Sequence, residues 1–371
     1  MLASTWLRRQ GTKRSEEAVL LGRTLKKVSR SFYLSLIVLP RAVRRQMGLA
    51  YLFCRAADTI ADTRILPYPE RLPALHAFRA QFQEGSPSRL AIDHLQQMVQ
   101  HRSPQQACAG EHQLLLRLPD CFRIYSRLSS DDQHLVKGLV LTLTRGMEMD
   151  LTCFPGDTPA ALRALPDMAS LERYTYYVAG VVGEFWTMLC SANLRAFQHH
   201  PNSQRLNGLG RRFGQGLQLT NILRDIGKDL QDGRCYLPAD ELQRLGLQVH
   251  DLLDPTSLRQ VRPLITSLIR CALEHLDDAS CYVQSLPRRA LRVRLSCMWP
   301  LLFAVQTLEA VCRSEGLLSH QERVKISRQA VYRTILRSLW CSIRPSGFPR
   351  YYASQRQRLE HALSSQQARH N

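Results

Sequence analysis

No two of the eleven cysteines in this chain are spaced Cys-x-x-Cys. Metal-knuckle spacing is therefore absent, and an odd count at this length argues against a disulfide scaffold. The twelve histidines form no His-Glu-x-x-His run, and no Gly-x-Gly-x-x-Gly fingerprint occurs. Neither a zinc-protease site nor a Rossmann nicotinamide fold is expected. The first residues, Met1-Leu-Ala-Ser-Thr-Trp-Leu-Arg-Arg9, lack the apolar core of a signal peptide. The greasiest stretch, 297–305, falls short of the ~20 residues a membrane span needs and contains Pro300. A cytoplasmic chain with no transmembrane segment is expected, touching membranes from one side at most.

Acidic residues are scarce: 31 Asp+Glu stand against 50 Lys+Arg, a net charge of +19. That excess favours polyanions, whether diphosphates, anionic lipid or nucleic acid. Finger spacing and an aromatic-basic strand pattern are both missing, so nucleic acid is not the expected partner. Residues 1–30 carry eight Lys/Arg, and the stretch from Cys341 onward carries five Arg against one Glu. These basic ends read as solvated tails or as membrane-surface elements.

What the chain does have is helical periodicity and enough apolar residues, 44%, for a core. Helices are predicted over about 15–38, 41–63, 70–84, 109–127, 131–152, 169–198, 204–231, 257–285, 288–315 and 321–341. Pro40, Leu66-Pro-Tyr-Pro69 and Phe154-Pro-Gly-Asp157 mark breaks, and Ser130 with Gln133 resembles a capping box. No convincing strand, internal repeat or low-complexity linker is present. The expected organisation is one all-α domain over 21–342, between a basic N-terminal segment, 1–20, and a basic C-terminal tail, 343–371.

Two acidic motifs carry the chemistry. Asp58-Thr-Ile-Ala-Asp62 and Asp225-Ile-Gly-Lys-Asp229 each place two carboxylates at i and i+4, on one helix face. Like charges so placed repel, and the more so when buried, so something positive should sit between them. Oxygen-rich pairs suit Mg²⁺, which keeps waters and is completed by phosphate oxygens. Arg55 shares the face of Asp58, which an ordinary ion pair would explain; Asp62 is left over. In the second motif Gln218, Asn221, Asp225 and Asp229 form a polar stripe on a Leu/Ile-rich helix, followed by a loop presenting Arg234 and Tyr236. The motifs lie far apart in sequence, so any site they share is tertiary.

Between them, Tyr174-Thr-Tyr-Tyr-Val-Ala-Gly-Val-Val-Gly-Glu-Phe-Trp186 puts Gly180 and Gly183 inside a helix, at about 1 kcal/mol each relative to Ala. Either two helices pack closely there, or the backbone opens for a long apolar ligand with Tyr174 at the mouth. Arg145-Gly-Met-Glu-Met-Asp150 fits a surface or a site equally well.

Taken together, these stretches resemble the squalene/phytoene synthase family of head-to-head prenyl synthases. The resemblance runs from about Ser29 to Val331. Its markers are Ser29-Arg-Ser-Phe32, Cys54-Arg-Ala-Ala-Asp-Thr-Ile-Ala-Asp62, Tyr177-Val-Ala-Gly-Val-Val-Gly183, Asn221-Ile-Leu-Arg-Asp225 and Gly233-Arg-Cys-Tyr-Leu-Pro238. The resemblance implies an all-α isoprenoid-synthase bundle around a central cavity. By position, Asp58, Asp62, Asp225 and Asp229 would bind Mg²⁺, with Asn221 beside them. Ser29, Arg30, Ser31, Tyr51, Arg55, Gln218 and Arg224 would hold diphosphate and neighbouring chain, with Arg234 and Tyr236 also among the substrate contacts. Tyr174 matches a tyrosine that handles protons and cations; Arg55 and Arg224 would assist catalysis.

Lys228 departs from the family pattern, which usually has an acid there. The implied reaction joins two farnesyl diphosphates through presqualene diphosphate to squalene, reduced by NADPH. Phytoene, from geranylgeranyl diphosphate, or dehydrosqualene is the alternative product; a catalytically silent, membrane-docking helical protein is the rival from another class. Residues 296–308 are similar to the corresponding helix of the reductive enzymes. Residues 324–331 are similar to their basic segment, where Lys325 and Arg328 would meet the nicotinamide phosphate. A peripheral membrane partner is expected, without an anchor.

Overall fold

The computed structural model describes residues 17–29, 33–62, 65–83, 88–100, 109–197, 203–344 and 346–368. Those residues are overwhelmingly helical, as the periodicity predicts, and divide into two compact units, Met1–Leu151 and Thr152–Asn371.

In the first unit, wide turns over Val19–Thr24 run into α1 (Leu25–Ser29), followed by α2 (Tyr33–Val38) and α3 (Arg41–Asp62). Then come α4 (Tyr68–Ala80), α5 (Arg89–Gln100), α6 (Ala109–Leu116), α7 (Leu118–Tyr125) and α8 (Ser130–Cys153), whose last residues pass the unit boundary. Helix α3 is the hub. Leu49, Leu52, Phe53, Ala56, Ala57 and Ile60 recur at helical spacing and are all buried, so one stripe packs on α4, α6 and α7. Phe53 lies with its ring 4.9 Å from both Phe82 and Phe122.

The structure differs from the sequence reading in several details, and α5 was not among the predicted helices. The predicted helix 109–127 is split at Arg117, because Pro119 favours the first turn of a new helix. The cap of α8 lies one residue earlier than predicted: Ser129 Oγ accepts from the Asp132 N–H at 3.2 Å, while Gln133 reaches the Leu128 carbonyl.

The second unit holds β1 (Arg163–Leu165), α9 (Met168–Thr175), a wide-turn stretch Tyr176–Gly180, α10 (Val181–Asn193) and α11 (Ser203–Gln231). After them come β2 (Arg234–Pro238), α12 (Ala239–Arg244), α13 (Leu258–Ser285), α14 (Leu291–Arg313), α15 (Arg328–Ile343) and α16 (Gly347–Gln367). The two strands pair in parallel, and the sequence reading missed them. Three and five residues are too few to show alternation, and β2 is buried along most of its length.

Helix α11 is the axis of this unit, packed against α10, α13 and α14. Its crossing with α10 is backbone against backbone. A Cβ on Gly183 would lie 1.8 Å from the Gly210 oxygen, and one on Gly214 would lie 2.0 Å from the Ala179 oxygen. Close packing is thus the use of Gly183. The turns at 176–180 are nevertheless widened, and there the Arg211 guanidinium sits over the Tyr176 ring while bonding Glu184 at 2.6 Å.

Helix α14 is long and apolar enough to span a membrane by composition, more than the 297–305 stretch suggested, yet it is mostly buried inside the unit. The basic stretch from 347 onward is no solvated tail. Phe348, Tyr351, Tyr352, Leu359 and Leu363 of α16 are buried, and its contacts fall on α13, α14 and α15. Arginines occupy its other face, so net charge concealed an amphipathic helix; Arg356 and Tyr352 both bond Asp277 at 2.9 Å.

The α10–α11 crossing generates a stability test. Gly183→Ala should lower the unfolding free energy by about 1–3 kcal/mol, because the new methyl meets backbone that cannot swing aside. Urea denaturation measures it; an unchanged midpoint would show that the crossing tolerates a side chain.

Candidate functional site

Both acidic motifs occupy the last turns of their helices. Asp58 and Asp62 close α3, and Asp225 and Asp229 lie near the end of α11. A helix C-terminus carries the negative end of the backbone dipole, which disfavours anions by about 0.3–1 kcal/mol each. Each pair therefore faces two repulsions, one from its neighbour and one from the helix. Each also has an arginine beside it.

In the first unit, Asp58 is half-buried and Asp62 exposed. Arg55 donates to Asp58 Oδ2 at 2.6 Å and also to Glu111 on α6. Burial would push the Arg55 guanidinium down, but Asp58 and Glu111 outweigh it and raise its pKa above the ordinary arginine value. Glu111 is buried and belongs to this site, yet the sequence reading passed over it. The available signal was one acid in the apolar run Ala109–Leu116.

Tyr51 donates to the Val28 carbonyl at 3.2 Å and ties α3 to α1. Ser29 is buried, with its Oγ bonded to the Leu25 carbonyl at 2.6 Å. Arg30 and Ser31 lie outside the described residues. Glu148, of the motif left open between surface and site, bonds Arg79 at 2.6 Å and His76 at 2.8 Å, so it braces α8 against α4.

In the second unit the polar stripe of α11 is the open face. Leu219, Ile222, Leu223, Ile226 and Leu230 are buried, whereas Gln218, Asp225 and Asp229 are half-buried and Asn221 is exposed. Arg224 donates Nε to Asp225 Oδ1 at 2.9 Å and a second N–H to Oδ2. That bidentate bond, against the opposing effect of burial and with further help from Asp225 and Asp229 charge, raises the Arg224 pKa. Lys228, the departure from the family pattern, reaches Asp232 at 2.7 Å.

Gly233, at φ +78°, turns the chain from α11 into β2. Strand β2 then aims Arg234 at Asp157, 3.8 Å away, and buries Tyr236. Tyr174 stacks on Tyr236 with centroids 4.9 Å apart and donates to its hydroxyl at 3.2 Å. Phe154 meets Tyr236 edge-on at 5.2 Å. Tyr174 is thus a buried member of an aromatic cluster.

Lys325 and Arg328 are exposed. Residues 321–327 form no helix, contrary to the prediction, and α15 begins at Arg328 under a Ser327 cap whose Oγ accepts from the Ala330 N–H at 3.1 Å.

Thiol chemistry contributes little here. Burial first, then the Asp58 charge, pushes Cys54 up to about 12, and burial likewise takes Cys235 to about 12. Among the described residues no three His, Cys, Asp or Glu side chains gather to hold a metal. A dedicated all-protein cage is therefore not present among them. Magnesium needs none: it is usually held by one or two carboxylates, with waters and substrate phosphates completing its octahedron. Two-carboxylate motifs such as Asp58/Asp62 and Asp225/Asp229 fit that mode, with diphosphate oxygens required to finish it.

Residues 25–330 match the family model described as squalene/phytoene synthase. The chain is 24% identical over 318 residues to the squalene synthase of Schizosaccharomyces pombe, covering 84% of this chain and 63% of that protein. It is 29% identical over 266 residues to the presqualene diphosphate synthase of Rhodopseudomonas palustris, covering 71% and 77%. The chain thus spans less than two thirds of the fission-yeast protein. The solved complex of TcSQS with the ligand E5700 superposes with a TM-score of 0.72 at 23% identity, over 96% of this chain and 99% of that one. Likeness at that identity shows a common fold.

Glu111 gives a test independent of any substrate. Glu111→Ala should lower the unfolding free energy by about 1–3 kcal/mol, since it removes a buried partner from a half-buried guanidinium. Equilibrium denaturation reads this directly; no change would mean that Asp58 alone satisfies Arg55.

Proposed function

The chain belongs to the squalene/phytoene synthase family, and from that membership we propose that it joins two farnesyl diphosphates head to head, through presqualene diphosphate, to squalene. The observation that carries the reading is the pair of Asp-x-x-x-Asp motifs at two helix C-termini, each with an arginine bonded to its first carboxylate. Carboxylates in such positions are costly unless a cation compensates them, and an allylic diphosphate brings that cation with it.

In this proposal Asp58 with Asp62, and Asp225 with Asp229 and Asn221, would each hold Mg²⁺, which when bound neutralises charge on the departing diphosphate. Arg55 and Arg224 exchange their carboxylate partners for diphosphate oxygens, and a guanidinium stays charged throughout. Fixed positive charge aimed at a leaving group in a dry site is the largest electrostatic aid to ionisation. The allylic carbocation is then attacked by the 2,3 double bond of the second donor, and a proton leaves as the cyclopropane closes. Tyr174, held by Tyr236, supplies an aromatic face to cationic intermediates and a hydroxyl for the proton. Ser29, Arg30, Ser31, Tyr51, Gln218 and Arg234 complete the substrate contacts. Lys325 and Arg328 would hold the phosphate of NADPH, which when bound would supply the hydride needed for squalene. Those two cations stand exposed, open to a phosphate.

The experiment is a product assay with farnesyl or geranylgeranyl diphosphate and Mg²⁺, with and without NADPH. Squalene only when NADPH is present supports the proposal. A C40 product assigns phytoene synthesis instead, and a C30 product indifferent to NADPH assigns dehydrosqualene. Asp58→Asn or Asp225→Asn should cut Mg²⁺-dependent diphosphate release by about a hundredfold or more. Unchanged turnover in either variant would overturn the site, and a wild type that releases nothing would favour the silent, docking-only reading.

A further inference from the structure

Helix α15 is inside out. The face it turns to the core is polar: Thr334 and Ser338 are buried, Ser338 accepting from Trp299 Nε1 at 2.8 Å and Thr334 from Gln306 Nε2 at 2.8 Å. The opposite face is apolar. Tyr332, Leu336, Leu339 and Trp340 are 66%, 68%, 43% and 61% exposed. Their spacing of four, three and one gathers them within roughly 100° of arc, one continuous stripe. Four large apolar side chains held in water on a single helix are not the ordinary scatter of surface hydrophobics, and mark a contact surface.

Charge states the chemistry of the partner. The helix sequence, Arg-Gln-Ala-Val-Tyr-Arg-Thr-Ile-Leu-Arg-Ser-Leu-Trp-Cys-Ser-Ile, contains no acid. Arg333 follows Tyr332, Arg337 follows Leu336, and Arg344, just past the helix, lies over the Trp340 ring at 5.1 Å. A Tyr/Leu/Trp stripe flanked by arginines is the pattern of a helix lying in the plane of a bilayer. Its apolar side chains enter the headgroup boundary and its cations meet anionic lipid.

We propose that α15 is the membrane-docking element of this protein, binding an anionic lipid surface through Tyr332, Leu336, Leu339 and Trp340 with Arg333, Arg337 and Arg344 around them. The proposal goes beyond the catalytic reading and does not depend on it. It also moves the membrane contact away from the C-terminal stretch, which is engaged in the core through α16.

The test uses the full-length chain without substrate. Co-sedimentation is measured with vesicles of phosphatidylcholine alone, and of phosphatidylcholine with phosphatidylglycerol. The wild type should bind the anionic vesicles and hardly bind the neutral ones, with added salt weakening the binding. The double variant Leu336→Ser/Trp340→Ser should partition about tenfold more weakly or worse, since two apolar side chains no longer enter the lipid. Its thermal melt should stay near that of the wild type, because both side chains are exposed in the folded chain. Trp340 should report insertion itself: the blue shift of tryptophan emission on binding should vanish in Trp340→Phe while binding persists. Undiminished binding of the double variant, or equal binding to neutral vesicles, would overturn the proposal. So would a wild-type dimer that the double variant dissolves, since the stripe would then cover a second copy.

Discussion

Paired carboxylates at the negative end of a helix are the constraint around which the rest of this chain is arranged. Asp58 with Asp62, and Asp225 with Asp229, suffer mutual repulsion and the repulsion of the backbone carbonyls that end α3 and α11. A fold selected for stability alone would place lysine or arginine there. The arginines present sit to one side, Arg55 shared with buried Glu111 and Arg224 clamped on Asp225. They offset part of the negative charge that each pair gathers at its helix end. The surrounding core explains how the expense is carried. Both helices bury long apolar stripes, and α11 is gripped through glycine contacts that bring two backbones together.

Much of this was legible in the sequence, because the signals were local and periodic. Helix α3 and the stripe of α11 follow from residues three and four apart, and their ends agree with prediction to within a residue or so. What escaped was what periodicity cannot encode. Glu111 joins Arg55 across more than fifty positions, and nothing near it in the chain announces that partner. Strands β1 and β2 are too short to alternate, and gain their identity only by pairing. The ring stack of Tyr174 on Tyr236 is likewise tertiary. Helix α16 was hidden by composition: the three arginines along it masked the aromatic and leucine face beneath them.

Helix α15 shows the opposite failure. Its Tyr, Leu and Trp residues look like core by spacing, yet the core takes its hydroxyls instead. A hydrophobic pattern locates a contact face without saying which of two partners it serves. Only burial separates the interior from an exterior contact, and it separates them here in the less familiar direction.

Helix α14 raises a different matter, the order in which the chain is made. Its 23 residues are apolar enough to pass for a span, and the folded unit conceals them. Two of its neighbours, α15 and α16, lie downstream in sequence, whereas α13 precedes it. During translation it therefore emerges beside only part of its eventual covering. A nascent chain in that condition presents insertion machinery and chaperones alike with a greasy segment still awaiting its partners. Only when α15 and α16 have followed it out is the covering of α14 complete.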